Sequence, residues 1–342
     1  MKQLIAKFKD RFAKEKFSVG LDIGNAAIKL IKLRFFKETI ELCGFALEPS
    51  SVDLVPVLKK IMQPHNNIDN VDISVSGPSA IIRYANFPKM TPVELSQSLR
   101  FEAQKHIPFS MDDVNLDSWI LKPDLPDNKM FVLLAAVKKE FINQRLKLME
   151  DVGIKPYIVD LDSLALINAF NFNYANDENL KNKTIALLNI GALYSNLNIL
   201  EGGIPCLSRD IHIAGNNFTQ KLVDIFGIDF KSAENLKFNP DNERFANVSS
   251  AIESVLVNLA TEIRTSFDYY ESQSASSVVK IFLSGGGSLF PALKDVLANL
   301  VGIEVDYWDS LKQINFSDNV DSKGVKALSG QLAVAMGLAL RQ

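Results

Sequence analysis

SVGLDIGNAAIKLIKL, Ser18 to Leu33, decides how the rest of the chain is read. An apolar run enters a tight turn around Ile23-Gly24, and a run of alternating character leaves it. That pattern predicts a strand, a turn and a second strand with one buried face. A rough copy, IALLNIGALYSNLNIL, recurs at Ile185 to Leu200. Aligning Gly24 with Gly191 sets the copies about half a chain length apart, which points to a duplicated fold with a cleft between its halves. The two turns would face each other across that cleft. The copies differ at one position that matters chemically: Asp22 precedes the first Ile-Gly, and Asn189 the second.

At 342 residues the chain has room for two sizeable cores. With 47% hydrophobic and 23% charged residues it has the composition of a soluble globular protein. A net charge of −3 gives no general attraction to nucleic acid. Two distant cysteines, Cys43 and Cys206, and three scattered histidines form no metal pattern, so a reduced, cytoplasmic compartment is expected. No run approaches the ~20 apolar residues that span a bilayer. The N-terminal segment 1–17 puts Leu4, Ile5, Phe8 and Phe12 on one helical face among six basic residues. Such a helix can contact an anionic membrane surface through residues 2–16, or simply fray.

Further along, polar breaks divide the chain. PHNN at Pro64–Asn67 precedes a unit, 66–153, that reads as a small α+β insertion. It holds strands at Val71–Gly77 and Ala80–Phe87, and a helix opened by the capping box Thr91-Pro92-Val93-Glu94. A loop rich in Asp and Pro follows from Asp112 to Asn128, then a strand at Met130–Val137 and a helix closed by Gly153. A strand at Tyr157–Asp160 and a helix at Ser163–Phe172 return to the first half, which comprises 18–65 and 154–180. The second half, 181–342, carries a helical region at about 216–274, with one long amphipathic pattern from Phe245 to Glu271. It closes with a helix expected over Ala327–Leu340.

Three glycine turns follow strands: Asp22–Asn25, Asn189–Ala192 and Ser284–Ser288. Glycine lets a backbone approach a phosphate or nucleoside closely, and a helix start adds its dipole. None of them is a Walker loop or a dinucleotide fingerprint. Together, LDIGNAAIK at Leu21–Lys29, LNIGALYSN at Leu188–Asn196 and LSGGGSLFPAL at Leu283–Leu293 resemble the actin-like ATPase superfamily. FPKMTPVELSQSLRFEAQKHIPFSMDDVNLD at Phe87–Asp117 narrows the resemblance to the PilM family of type IV pilus assembly proteins. VDLDSLALINAF at Val159–Phe170, SRDIHIAGNNFTQKLV at Ser208–Val223 and LAVAMGLALR at Leu332–Arg341 are similar to that family too.

The resemblance implies an α/β fold of two ribonuclease-H-like, actin-like halves around a nucleotide cleft, with a small α+β insertion in the first half. It implies ATP or ADP with Mg²⁺ as cofactors. Asp22 would orient the metal. Gly24, Asn25, Ala26, Ala27 and Lys29 would lie near the phosphates, and Asn189, Gly191, Ala192, Tyr194 and Ser195 would clasp them from the other side. Gly215 and Asn216 would lie nearby, Glu234 and Lys237 would bracket ribose and adenine, and Gly285, Gly286 and Gly287 would back the adenosine. Without those motifs, Glu234 and Lys237 would read as an exposed ion-paired helix face. Asn189, where the family pattern has Asp, brings no charge to metal or water, so weak hydrolysis is expected. Asp160 and Asp162 are the candidate substitutes, although Asp162 reads more simply as a helix N-cap.

The resemblance also implies a partner: the N-terminal cytoplasmic tail of a PilN-like inner-membrane protein. That tail would lie extended in a groove between the first half and its insertion, around Ile81–Phe87 and Leu95–Leu99. Pilus motor ATPases and a second copy of the chain are further partners it admits, in a machine that drives twitching motility. Two other readings compete, an FtsA-like membrane-associated division protein and an actin-like ATPase or kinase with real turnover. FtsA-like anchors tend to be C-terminal, whereas the basic amphipathic segment here is N-terminal, and no sugar-side motif with a catalytic base is evident.

Overall fold

The computed structural model describes residues 15–65 and 70–341. The expected N-terminal amphipathic helix lies outside the described residues as far as residue 14, and Lys16 and Phe17 open a strand.

The first half runs β1 (Lys16–Ile23), β2 (Ala27–Phe36), β3 (Thr39–Pro49), α1 (Leu54–Met62) and β4 (Val71–Val75). An excursion follows through β5 (Ala80–Pro88), α2 (Pro92–Ala103), β6 (Val114–Leu125) and β7 (Lys129–Lys138). The chain returns with α3 (Lys139–Val152), β8 (Ile158–Leu161) and α4 (Asp162–Tyr174). The second half runs β9 (Thr184–Ile190), β10 (Ser195–Glu201), β11 (Ile204–Ile211), α5 (Gly215–Phe226), α6 (Phe230–Phe238), α7 (Phe245–Glu271) and β12 (Val278–Ser284). It continues as α8 (Leu293–Val301), β13 (Glu304–Tyr307), β14 (Asn315–Phe316), α9 (Ser322–Ala327) and α10 (Ala333–Ala339).

Strand order displays the duplication. One sheet reads β14-β3-β2-β1-β4-β8 and the other β11-β10-β9-β12-β13. In each, three antiparallel strands are extended by two parallel ones, so β3-β2-β1-β4-β8 corresponds to β11-β10-β9-β12-β13. The third sheet, β5-β7-β6, belongs to the insertion and packs its inner face on α2 around Phe87, Leu95, Val132 and Leu134. The expected capping box is present: Thr91 and Glu94 exchange side-chain bonds with each other's backbone, with Pro92 in the first turn.

The structure corrects several sequence-based expectations. Val71–Val75 is not the start of the insertion: β4 lies between β1 and β8 in the main sheet, buried on both faces, so the excursion begins after it. The segment expected as an Asp/Pro loop contains β6, an edge strand with exposed alternate positions. Its pairing with β7 becomes irregular around Lys122 to Leu125, which accommodates Pro123 at an edge. Of the closing helix expected over Ala327–Leu340, only α10 (Ala333–Ala339) is helical; α9 ends at Ala327, and the Gly330 carbonyl between them accepts the Gly285 N–H at 2.9 Å.

Residues 315–316 and 333–339, read as second half, pack on the first. β14 pairs with β3, and α10 lies against β1 and α4. Every residue of α10 is buried, as its small apolar composition requires. One core cluster therefore joins the halves, with Ile31 and Leu33 of β2, Phe170 of α4, Ile185 of β9, Phe282 of β12 and Met336 of α10.

Candidate functional site

The first hairpin sets Asp22 directly opposite Lys29, and Lys29 Nζ donates to Asp22 Oδ2 at 2.9 Å. Below its tip, Ser50 fastens the turn. Its Oγ donates to the Gly24 carbonyl (2.7 Å) and its N–H to the Ala26 carbonyl (2.9 Å). A Cβ on Gly24 would lie 2.8 Å from Ala27 O and 2.9 Å from Lys29 Nζ, so the turn closes around glycine. Asn25 and Ala26 stand exposed at the tip, with Ala27 half-buried behind them.

In the second hairpin Gly191 N–H donates to Tyr194 O at 3.0 Å. The Gly191 and Ala192 carbonyls accept the N–H groups of Gly215 (3.0 Å) and Asn216 (2.9 Å). The first turn of α5 thus braces the hairpin tip and spends those two donors on it. Ser195 is fully buried and its Oγ donates to Ile213 O at 2.7 Å, so its hydroxyl faces the hairpin base and not a ligand. Tyr194 packs edge-on to His212 (5.0 Å between rings) and lies beside Gly77 of the first half.

The third glycine turn joins the same floor. Gly285 adopts φ +86°, a conformation suited to glycine. A Cβ on Gly287 would lie 2.6 Å from Ile190 Cγ2 and 2.9 Å from Gly191 O, and one on Gly215 would lie 3.0 Å from Gly191 O and 3.6 Å from Gly287 Cα. Gly286 has room, its nearest neighbour for a Cβ being Gln331 Oε1 at 3.8 Å.

Glu234 and Lys237 do not form an exposed face. Lys237 is 1% exposed, and its Nζ donates to Glu234 Oε2 (2.7 Å), Thr219 Oγ1 (2.8 Å) and Gly215 O (3.3 Å). Burial lowers the Lys237 pKa, and the Glu234 carboxylate opposes that shift. Thr219, absent from the sequence reading, also donates to Glu234 and completes the triad at the back of the glycine floor.

Asp162 is the first residue of α4, and the N-cap is Leu161, without a side-chain cap bond. The simple N-cap reading of Asp162 is thereby corrected. Its carboxyl is raised to about 6, first by burial and then by the neighbouring charge of Asp22, with Asp210 adding to it. Asp162 and Asp210 line one cavity, and Asp22 is near enough to Asp162 to be felt electrostatically. Asp160 lies elsewhere: its Oδ1 accepts Leu161 N–H (2.8 Å) and its Oδ2 pairs with Arg341 Nε (3.3 Å) beneath α10, so it cannot substitute in the cleft.

Sequence reasoning missed Arg145 and Asp210. Arg145, on α3, has its pKa lowered by burial and supported by Asp162 and Asp22. Asp210 lies on β11 and accepts hydrogen bonds from Asn196 Nδ2 (2.7 Å) and from Gly77 N–H (3.0 Å). Helix and strand periodicity carry no signal for either residue, since each acts across a tertiary gap.

A cavity of about 260 Å³ opens where the insertion meets both halves, lined in part by Gly77, Ile81, Arg83, Asp162, Asp210 and His212. Of the expected groove residues, Ile81, Ile82 and Arg83 line it. Phe87 and Leu95 are instead core of the insertion, with Leu99 packed against them. Among the described residues no three His, Cys, Asp or Glu are grouped to hold a metal by themselves. Asp22 suits a Mg²⁺ that arrives with phosphate oxygens, which needs only one or two protein carboxylates. Also among the described residues, no helix is long and apolar enough to cross a membrane.

Two sheets of matching order, each with its glycine-tipped hairpin, and a shared glycine floor define the actin-like ATPase fold. A family model described as "Type IV pilus assembly protein PilM" matches residues 20–342, and the chain belongs to that family. The structure is similar to that of a PilM–PilN type IV pilus biogenesis complex, with TM-score 0.84 and 25% identity, covering 95% of this chain and 98% of that one. It shares its fold with the ethanolamine utilization protein EutJ of Carboxydothermus hydrogenoformans, at TM-score 0.55 and 14% identity over 95% of this chain and 89% of that one. The chaperone protein dnaK of Cyanophora paradoxa is 30% identical over 116 residues, 32% of this chain. The match spans only 19% of that relative's length.

Proposed function

We propose that this chain is a nucleotide-holding scaffold of type IV pilus assembly, which binds ATP or ADP with Mg²⁺ and hydrolyses it little. The observation that carries this reading is the floor of Gly191, Gly215, Gly285 and Gly287, drawn from three separate elements. Such a floor offers backbone instead of side chains to a ligand. The chemistry for turnover is thin: Asn189 carries no charge, and the Asp22 carboxylate is ion-paired to Lys29.

Gly286→Val is the direct test, because a side chain there has room in the fold while it fills the floor. By titration calorimetry the wild type should bind Mg-ATP. The variant should keep its melting temperature and lose at least about tenfold in affinity, some 1.4 kcal/mol. No binding by the wild type at millimolar nucleotide would sink the assignment. Steady-state phosphate release should be far below the ~10 s⁻¹ of a median enzyme, and rapid turnover would favour an ATPase or kinase.

The same reading gives the chain a membrane-anchored partner. The similar structure is a PilM–PilN complex, which supports docking of an N-terminal cytoplasmic tail of a PilN-like protein beside the insertion. The protein would then sit in the cytoplasm at the inner membrane. Titrating a tail peptide into the protein should saturate, and Ile81→Asp at the cavity wall should weaken it about tenfold or more. A flat wild-type curve would argue instead for an FtsA-like protein that reaches the membrane without such a tail.

A further inference from the structure

Four side chains form one directed hydrogen-bond chain from the glycine floor to the first half. Ser284 Oγ donates to Asn189 Oδ1 (3.2 Å), Asn189 Nδ2 donates to Asn196 Oδ1 (3.1 Å), and Asn196 Nδ2 donates to Asp210 Oδ1 (2.7 Å). The other carboxylate oxygen, Asp210 Oδ2, accepts the N–H of Gly77 at 3.0 Å, across the cleft. Gly77, at φ +95°, lies in the loop that leads from β4 into the insertion. Two residues nearer the start of β11, Ser208 Oγ meets Tyr84 Oη of the insertion at 2.8 Å and donates to Asn198 Oδ1 at 2.6 Å.

The direction of this chain follows from its end. An ionised carboxylate only accepts, so Asn196 must turn its NH₂ toward Asp210 and its oxygen toward residue 189. Residue 189 must then donate, which an amide does and a carboxylate cannot. We propose that Asp210 is the positioning residue of this cleft: it latches the second half to the Gly77 loop and, through Asn196, requires an amide at 189. On this account the second half does bring a carboxylate to this row of the sheet, two strands away from residue 189. It stands at the joint between the halves, and it connects the base of two glycine turns to the entrance of the insertion. The second arm of the test below rests on the nucleotide reading, whereas the first does not.

The first arm measures hydrogen exchange of the Gly77 amide in nucleotide-free protein. Asp210→Asn replaces the charged acceptor of the Gly77 N–H by a neutral amide oxygen, and Asn189→Asp sets two carboxylates against one amide. Each single variant should speed Gly77 exchange about tenfold or more, the effect of losing a charge-assisted bond. In the double variant Asn189→Asp with Asp210→Asn, one flip of the Asn196 amide gives the new carboxylate its donor, so exchange should lie within about threefold of Asp210→Asn alone, the Asn189→Asp effect having vanished. Unchanged exchange in Asp210→Asn, or an Asn189→Asp effect as large in the Asp210→Asn background as in the wild type, overturns the proposal. A merely structural role would make the two substitutions additive. In the second arm, Mg-ATP should slow Gly77 exchange in the wild type but not in Asp210→Asn. Wild type that binds Mg-ATP without any change at Gly77 overturns the link to the cleft. Wild type that binds no nucleotide sinks the proposed function and leaves the first-arm result standing.

Discussion

Gly337→Ala should cost the protein at least ~3 kcal/mol, against a total stability of order 5–15 kcal/mol. Alanine favours a helix by about 1 kcal/mol over glycine, so propensity alone predicts a gain. Packing reverses the sign. A Cβ at Gly337 would overlap the carbonyl of Ala165 on α4, and one at Gly20 would overlap the carbonyl of Ala335 on α10. Both obstacles are backbone, which cannot rotate away, so α10 would have to lift from the sheet and uncover its fully buried side chains. Thermal unfolding should show a melting temperature lower by several degrees, or the protein should fail to accumulate in soluble form. An unchanged melting temperature would show that α10 does not make this close approach. Gly153, which has nothing within 4 Å of a Cβ but sits at φ +86°, serves as the control and should lose only about 1 kcal/mol through its conformation.

The second large effect concerns acidity. Asp72 is 1% exposed on β4, its Oδ1 has no hydrogen-bond partner, and burial raises its carboxyl to about 7, with nearby Asp160 adding to the shift. A carboxyl held higher in the folded state than in the unfolded chain favours folding where both are protonated. The penalty therefore grows as pH rises from about 4 to about 7 and is complete above that range. At roughly 1.4 kcal/mol per pKa unit it amounts to a few kcal/mol. Asp72→Asn should thus match the wild type near pH 4 and be more stable by a few kcal/mol at pH 8, read from denaturant midpoints at both values. A variant less stable than wild type at pH 8 would mean that the charged form is bound usefully, against this account.

The hairpins, the glycine turns and the long helix α7 were legible in the sequence because each is a local pattern. Asp22, Gly24, Gly191 and the Ser284–Ser288 turn carry strand-and-turn chemistry within a few residues, and Phe245–Glu271 repeats its apolar face without a break. What failed was pairing. β4 and the strands of the insertion have similar composition, and only the ladder to β1 and β8 shows which sheet β4 joins. β6 was hidden because an edge strand that is half solvated and interrupted by Pro123 reads as loop. Within the site, Lys237 stands out only through the family resemblance; by itself it reads as a surface lysine, because its charge gives no hint that Gly215 and Thr219 enclose it. Asn189 reads in sequence only as a missing charge, since its link through Asn196 to Asp210 crosses two strand pairs.

The shared core has a consequence for how the chain is made. The face of β1 that carries Gly20 is covered by α10, and nearly the whole sequence separates the two. Domains usually fold as units while they leave the ribosome, N-terminal ones first. Leu58, Ile61 and Met149 cover the other face early, but the Gly20 face lacks the cover of α10 until that helix has emerged and doubled back, so the first half must wait, partly uncovered, for the second to be synthesised. Ribosome-bound chains that stop before residue 333 should therefore remain protease-sensitive in the first half, a vulnerable interval that a chaperone would have to span.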